Sequence, residues 1–430
     1  MKWRADLSQI NKRVLSDRAG ELDPSVRQFL LLVRLAINSP AAAAVPPIKD
    51  SIDWQRIWGL AEAHGLLSLL GGQLVRITES LKLPDEFCAA LKDYSYANEL
   101  RNRMLLQEYA VVRAAFDEAG INAVALKGIG HLLTMPDYAK VRELADIDLL
   151  VLPHHAAKAR RLLEQQGYRA VYAPNTVRLG EEDLTDEQSK VYDDVYHEYS
   201  FVNSDGLIYI DLHWRLSPRV YPTSLPAELP FVKQSSDGLP SLSYQLVYLC
   251  MHAAKDGWSE LKWALDLATI ARNFSNSDWA EAWELASRYR LRRILLTGIA
   301  LTDWLTGESC VGAKQLSDSA YIYLPSDRTL RNLRRRLVTE PNRKHRRISC
   351  LGLNKTYIAL CDGNQDRLIY VYRMFTYPQP RDFVRLGLTD RWLPIWGLLR
   401  PFLISLYCLR RSLQILLFGK ERGAQVSLQK

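Results

Sequence analysis

An apolar strand that carries two carboxylates on one side has few places to go in a fold. Asp146-Ile147-Asp148-Leu149-Leu150-Val151-Leu152 is such a stretch. Strand side chains alternate faces, so Asp146 and Asp148 share one face while Ile147, Leu149 and Val151 share the other. Unit charges about 4 Å apart cost roughly 4 kcal/mol at an effective dielectric near 20. A strand of this kind needs a cation or protons to relieve that repulsion. Mg²⁺, held by a few carboxylates and by substrate phosphates, is the natural partner. Two such ions, about 3.5–4 Å apart, activate an attacking oxygen and stabilise a leaving one.

That chemistry calls for a third carboxylate, and Ile208–Trp214 supplies one. Tyr209, Asp211 and His213 share a face there, and Ile208, Ile210, Leu212 and Trp214 share the other. If this strand neighbours the first, Asp211 completes a triad with Asp146 and Asp148. An isolated Asp-x-Asp is more often a solvated strand end. The Lys127-Gly128 turn just upstream, closing the short apolar run Ala123–Leu126, shifts the balance towards a metal and phosphate site.

At 430 residues the chain is long enough for two or three subdomains. Its 48% hydrophobic and 24% charged residues describe an ordinary globular protein. A net charge of +8 is compatible with an anionic partner without requiring one. The six cysteines show no CxxC spacing, which suits buried thiols in a reducing compartment rather than a disulfide framework or a zinc site. The first residues contain no apolar core of a signal peptide. No run reaches the roughly 18 apolar residues of a spanning helix. Leu393–Phe418 comes nearest, but Arg400, Arg410 and Arg411 interrupt it. The expected location is the cytoplasm, with no transmembrane segment.

Periodicity divides the chain into four parts. Residues 1–120 read as helical: Ser25–Ile37, Ile52–Leu70 and Asp85–Asp117, the last stopped at Gly120. A polar start (1–23) and a small-residue linker (Ala41–Pro47) flank the first of them. Residues 121–240 read as α/β with a small mixed sheet. Its strands are Ala123–Leu126, Asp146–Leu152, Tyr168–Tyr172, Glu198–Asn203 and Leu207–Leu212, the last two joined by the turn Ser204-Asp205-Gly206. His155–Gln166 is a helix closed by Gly167, and Gly180–Asp194 reads as an acidic exposed insertion or loop. Residues 241–310 are helical again: Tyr244–Ala254, Leu261–Asn273, Trp279–Tyr289 and Arg292–Trp304. Residues 311–430 form a basic, helical extension whose pattern degrades.

The blocks LKGIGHLL, R-x-x-x-DIDLLV (Arg142 to Val151) and IDLHW (Ile210 to Trp214) together resemble a bacterial family of uncharacterised nucleotidyltransferases within the polymerase-β-like superfamily. Trp54, Ala61 and His64 resemble its N-terminal helix. His252, Lys255, Trp258, Leu261, Trp263 and Asp266 resemble a helical block further on. The similarity covers about Asp53–Leu305, with a weaker match near Leu398–Leu409.

This resemblance implies a minimal nucleotidyltransferase core flanked by N- and C-terminal helical subdomains. It implies that Asp146, Asp148 and Asp211 hold Mg²⁺ (or Mn²⁺) and are catalytic. An NTP such as ATP would be the donor, bound by Lys127, Gly128, Arg142 and Lys255. The superfamily's Gly-Ser pair is replaced here by Lys127-Gly128, so backbone N–H groups at a helix start would hold phosphate without a serine. Each contact has a plainer alternative. Arg142 clamps the triphosphate or pairs with Glu143 or a nearby acid. Lys255 binds phosphate or pairs with Asp256 or Asp266. His213 orients a carboxylate or makes a structural hydrogen bond. Trp214, Trp258 and Trp263 read as core.

Other phosphate-binding classes fit poorly: there is no GxxxxGK[ST], no kinase HRD or DFG, and no GxSxG elbow. The expected reaction is transfer of a nucleoside monophosphate from NTP to an unidentified acceptor (a small molecule, a peptide or protein, or RNA), releasing pyrophosphate. A non-catalytic nucleotide-binding accessory or sensor is the alternative from another class. An RNA-directed transferase would use the basic segment Arg328–Arg347, which otherwise reads as a solvated helix face. The tail Trp392–Phe418 packs as a terminal helix or touches a membrane surface peripherally.

Overall fold

The computed structural model describes residues 23–38, 52–74, 83–171, 186–232, 239–309, 318–339, 353–378, 395–403, 405–406 and 409. The start of the chain, the Ala41–Pro47 linker and most of the tail lie outside them.

The fold is a mixed α/β arrangement in which helices flank one five-stranded sheet. The strands are β1 (Ala123–Ala125), β2 (Ile147–Val151), β3 (Arg169–Val171), β4 (Glu198–Val202) and β5 (Tyr209–His213), in the order β1-β2-β5-β4-β3. The β2–β5 pair is parallel and the others are antiparallel. The β4–β5 hairpin forms where the turn chemistry places it. Gly206 takes a left-handed φ of 73°, and Asn203 Oδ1 accepts from the backbone N of Leu207 and Ile208. Ile147, Leu149, Ile210, Leu212 and Phe201 are fully buried on one side of the sheet, beside the helix Ala156–Gln165. The opposite side carries the carboxylates.

The N- and C-terminal helices pack on each other. Pro24–Asn38 lies along Arg292–Thr306, and Arg34 donates to the carbonyls of Trp304 and Leu305. The helix Asp85–Glu118 crosses the back of the core and ends as expected at Gly120, where φ is 65°. No helix among the described residues is long and apolar enough to cross a membrane. Cys88, Cys250 and Cys361 are buried free thiols.

Two expectations need correction. The segment Ile52–Leu70 is two helices, Trp54–Ala63 and Leu67–Leu74. The break falls at Gly65, whose φ is 62°, and Glu143 Oε1 accepts from Ser68 N at the start of the second helix. Apolar spacing runs through the break, so periodicity alone does not reveal it. Within the supposed acidic loop, Asp186–Val195 is a helix. Its acidic residues conceal an inner side on which Tyr192 and Val195 are buried. The Asp193 carbonyl accepts from Trp214 Nε1 and Arg215. Residues 180–185 lie outside the described part. In the basic extension, expected to be helical, helices lie at Asp327–Thr339, Lys355–Leu360 and Asn364–Thr376.

Gly130 sets how closely the helix Lys127–Thr134 approaches β1. A Cβ there would lie 2.8 Å from the Ala125 carbonyl oxygen, a backbone atom that cannot swing away. Gly130→Ala is expected to destabilise the protein by about 1–3 kcal/mol. Gly59→Ala meets nothing within 4 Å and should gain about 0.5–1 kcal/mol from helix propensity. Urea unfolding of the two variants measures the difference, and equal midpoints would contradict the packing account.

Candidate active site

Parallel pairing places Asp148 directly opposite Asp211, and antiparallel pairing places Ser200 opposite Asp211 and Glu198 opposite His213. The sheet thus presents Asp148, Asp211, Glu198 and His213 as a patch, with Asp146 just before β2. Ligand atoms of Asp148, Asp211 and His213 lie within 4.8 Å of one another, and so do those of His197, Glu198 and His213. Asp146, one residue before β2, is in neither group, and the third member beside Asp148 and Asp211 is His213.

Hydrogen bonds and close polar contacts hold the patch in place. His213 Nε2 lies 2.9 Å from Asp148 Oδ1, and its Nδ1 lies 3.2 Å from Glu198 Oε2. Ser200 Oγ donates to Asp211 Oδ1 at 2.6 Å. Lys127 Nζ donates to Asp148 Oδ1 at 2.6 Å. The last contact depends on an unusual backbone. Lys127 opens its helix with φ 43°, a left-handed conformation that costs a non-glycine residue about 1–3 kcal/mol. That turn, fixed by Leu126 N donating to Asp148 O, returns the ammonium to the strand.

Electrostatics divides the carboxylates. Burial favours protonation of Asp148, but the Lys127 ammonium and His213 outweigh it and hold its carboxyl at about 2. Burial and the neighbouring charges of Glu198, Asp146 and Asp148 hold Asp211 well above the usual carboxylate range. Asp146 is raised by burial and by Asp148. Burial pushes His197 down to about 3, leaving it neutral. A divalent cation held here would offset the crowding of charge on Asp211 by taking the place of its proton. Mg²⁺ affinity is therefore expected to rise with pH, about tenfold per unit below the Asp211 pKa, with proton release on binding. Calorimetry in buffers of different ionisation enthalpy measures this, and binding without proton release would contradict it.

Other expected contacts are placed differently. Arg142 does not face the carboxylate patch. It is buried and bidentate to Asp266, with Nε–Oδ1 at 2.6 Å and Nη2–Oδ2 at 2.9 Å. The plainer alternative holds, with Asp266 as the acid. Glu143 instead caps the helix Leu67–Leu74 and accepts from Tyr94 Oη. Gly128 has a packing reason, since a Cβ there would come within 2.5 Å of Leu144 Cδ2. Lys255 Nζ contacts His197 Nε2 at 3.1 Å rather than Asp256 or Asp266. Asp256 is taken by His252 at 3.5 Å. Trp214, Trp258 and Trp263 are core residues as expected. Beside Lys127 lies a small pocket lined in part by His131, Tyr244, Gln245 and Tyr248.

In the basic segment, Arg334 is buried over the Trp304 ring. Arg336 donates to Thr356 Oγ1 and to the Gly257 carbonyl. Those two arginines are structural, while Arg328, Arg331 and Arg335 on the same helix are exposed, as a solvated face requires. Residues 340–347 lie outside the described part.

Sequence reasoning missed Glu198 and Ser200. Their signal is the hairpin register: counting back from Ser204-Asp205-Gly206 pairs Ser200 with Asp211 and Glu198 with His213.

The family described as uncharacterised nucleotidyltransferase matches residues 50–307, a span that includes all five strands and every residue of the patch. No curated protein and no solved structure matches the chain.

Proposed function

Because the chain belongs to the uncharacterised nucleotidyltransferase family, we propose that it transfers a nucleoside monophosphate from an NTP to an acceptor nucleophile with release of pyrophosphate. The observation that carries this reading is the register of Asp148 against Asp211 on adjacent parallel strands, with Asp146 immediately before β2 and its charge felt at Asp211. Carboxylate oxygens suit a hard divalent cation. Burial and the neighbouring carboxylates that hold Asp211 above the usual range support this reading, because such a cation would offset both. Asp146, Asp148 and Asp211 would hold Mg²⁺ or Mn²⁺, which when bound supplies Lewis-acid stabilisation of the phosphoryl oxygens.

The chain's own side chains do the remaining work. His213 fixes the Asp148 carboxylate, and Ser200 fixes that of Asp211, so both are pre-oriented. The helix that starts at Lys127 offers backbone N–H groups for phosphate. Lys127 itself can exchange its Asp148 partner for the donor's phosphates. Lys255 lies beyond His197 and approaches phosphate only by leaving that ring. Arg142 serves by locking the segment between the Lys127 helix and β2.

The accessory reading draws on one observation: Lys127 already neutralises Asp148 and Arg142 is committed to Asp266, which leaves fewer cations for a triphosphate. Incubation with labelled NTP, Mg²⁺ and cell extract, followed by pyrophosphate assay and mass spectrometry for an added nucleotidyl group, separates the two. Calorimetric NTP binding without pyrophosphate release would favour the accessory.

A further inference from the structure

Proton counting around His197 does not close. Its Nε2 lies 3.1 Å from Glu198 Oε2 and 3.1 Å from Lys255 Nζ, an acceptor and a donor. A proton on Nε2 satisfies Glu198 but opposes the ammonium. A proton on Nδ1 satisfies Lys255 but leaves Nε2 and Glu198 facing each other as two acceptors. In either form Nδ1 is buried without a hydrogen-bond partner. His213 repeats the pattern: its Nδ1 faces Glu198 Oε2 at 3.2 Å and is likewise buried and unpartnered by hydrogen bonding. Both histidines are almost wholly enclosed, His197 at 2% and His213 at 1% exposure.

We propose that His197 Nε2, Glu198 Oε2 and His213 Nδ1 form a second cation site, adjoining the aspartates of the patch and suited to a zinc-type divalent ion. Two imidazoles and one carboxylate with an open position are the donor set of such ions, whereas all-oxygen sites favour Mg²⁺. Bonds of about 2.0–2.1 Å in tetrahedral geometry put neighbouring ligand atoms roughly 3.3 Å apart. The observed N–O separations are 3.1 and 3.2 Å, and each of the three residues offers a ligand atom within 4.8 Å of the others. A metal-bound histidine usually donates its other N–H to a carboxylate. His213 does so, with Nε2 at 2.9 Å from Asp148 Oδ1. The Lys255 ammonium holds the cation's place beside His197 and is displaced when the ion binds. The site therefore joins the aspartate face through His213, and the ion on it would fix the orientation of Asp148. None of this depends on the nucleotidyltransferase reading, because the test uses metal without nucleotide.

The probe is Co²⁺, whose visible absorption reports nitrogen ligands, titrated into the full chain in saturating Mg²⁺. One Co²⁺ per chain is expected. The band should be lost in His197→Gln and Glu198→Gln and retained in Asp146→Asn. Lys255→Met removes the competing ammonium and should tighten Co²⁺ binding by about tenfold or more. That gain cannot be produced by misfolding. Co²⁺ binding that survives His197→Gln but is lost in Asp146→Asn overturns the proposal, as does Co²⁺ affinity unchanged by Lys255→Met or the absence of Co²⁺ binding.

Discussion

Replacing Arg142 with alanine is expected to cost about 3–5 kcal/mol of folding stability, the range for removing one partner of a buried ion pair. The guanidinium makes two parallel bonds to Asp266, whose side chain is fully enclosed and also accepts from Tyr138 Oη at 2.9 Å. Without Arg142, Asp266 is left as a buried charge with no full counter-ion. The pair spans 124 residues of chain, so it ties the segment before β2 to the helix Lys262–Ala271. The Arg142 carbonyl adds to the tie by accepting from Asn98 and Asn102 at 3.0 and 2.7 Å. Arg142→Lys should rescue little, because an ammonium cannot reproduce the planar two-pronged contact. A paired Arg142→Met, Asp266→Leu change should recover most of the loss, since it removes both charges. Urea denaturation measures all three. A loss below about 1 kcal/mol in Arg142→Ala would mean the pair is solvated rather than buried.

The second large effect separates function from fold. Asp211→Asn is expected to lower nucleotidyl transfer by at least roughly 10²–10³-fold, the scale on which single electrostatic stabilisers act in enzyme sites. The same change should raise the thermal midpoint of the metal-free protein. The sign follows from the direction of the shift. Burial, then Glu198, Asp146 and Asp148, raise the folded-state pKa of Asp211. An acid with a raised folded pKa carries a stability penalty that appears as pH rises past its unfolded value of about 4. Asparagine removes that penalty at neutral pH and can still accept from Ser200 Oγ. Excess Mg²⁺ should shrink the gap in thermal midpoint, because the cation relieves the wild type only. A variant that loses both activity and stability would instead place Asp211 among residues that hold the fold.

How legible this was depended on the range of the interaction. Period-two alternation placed Asp146 and Asp148 on one face of a strand, and Asp211 and His213 on one face of another. The turn at Ser204-Asp205-Gly206 implied the hairpin. These are local patterns, and the structure bears them out as strands and register. The neighbours that determine charge are not local. Asp266 lies far from Arg142 in sequence, and nothing in the spacing of Arg142 distinguishes that acid from Glu143. Lys127 reads as a phosphate ligand because it ends an apolar run. The left-handed turn that folds it back onto Asp148 is invisible in residue type, since lysine rarely adopts it. Glu198 was overlooked because it begins its strand, although the hairpin register already paired it with His213. In the basic extension, charge density suggested a solvated face, and Arg328, Arg331 and Arg335 are exposed, whereas the stems of Arg334 and Arg336 pack because their heads find a ring and carbonyl or hydroxyl oxygens.

The most direct test of the account compares wild type with the Asp146→Ala, Asp148→Ala double variant. Both are incubated with labelled NTP, Mg²⁺ and cell extract, while circular dichroism follows folding. The account predicts pyrophosphate release and label transfer by wild type only, with both proteins folded. Robust transfer by the folded double variant would contradict it.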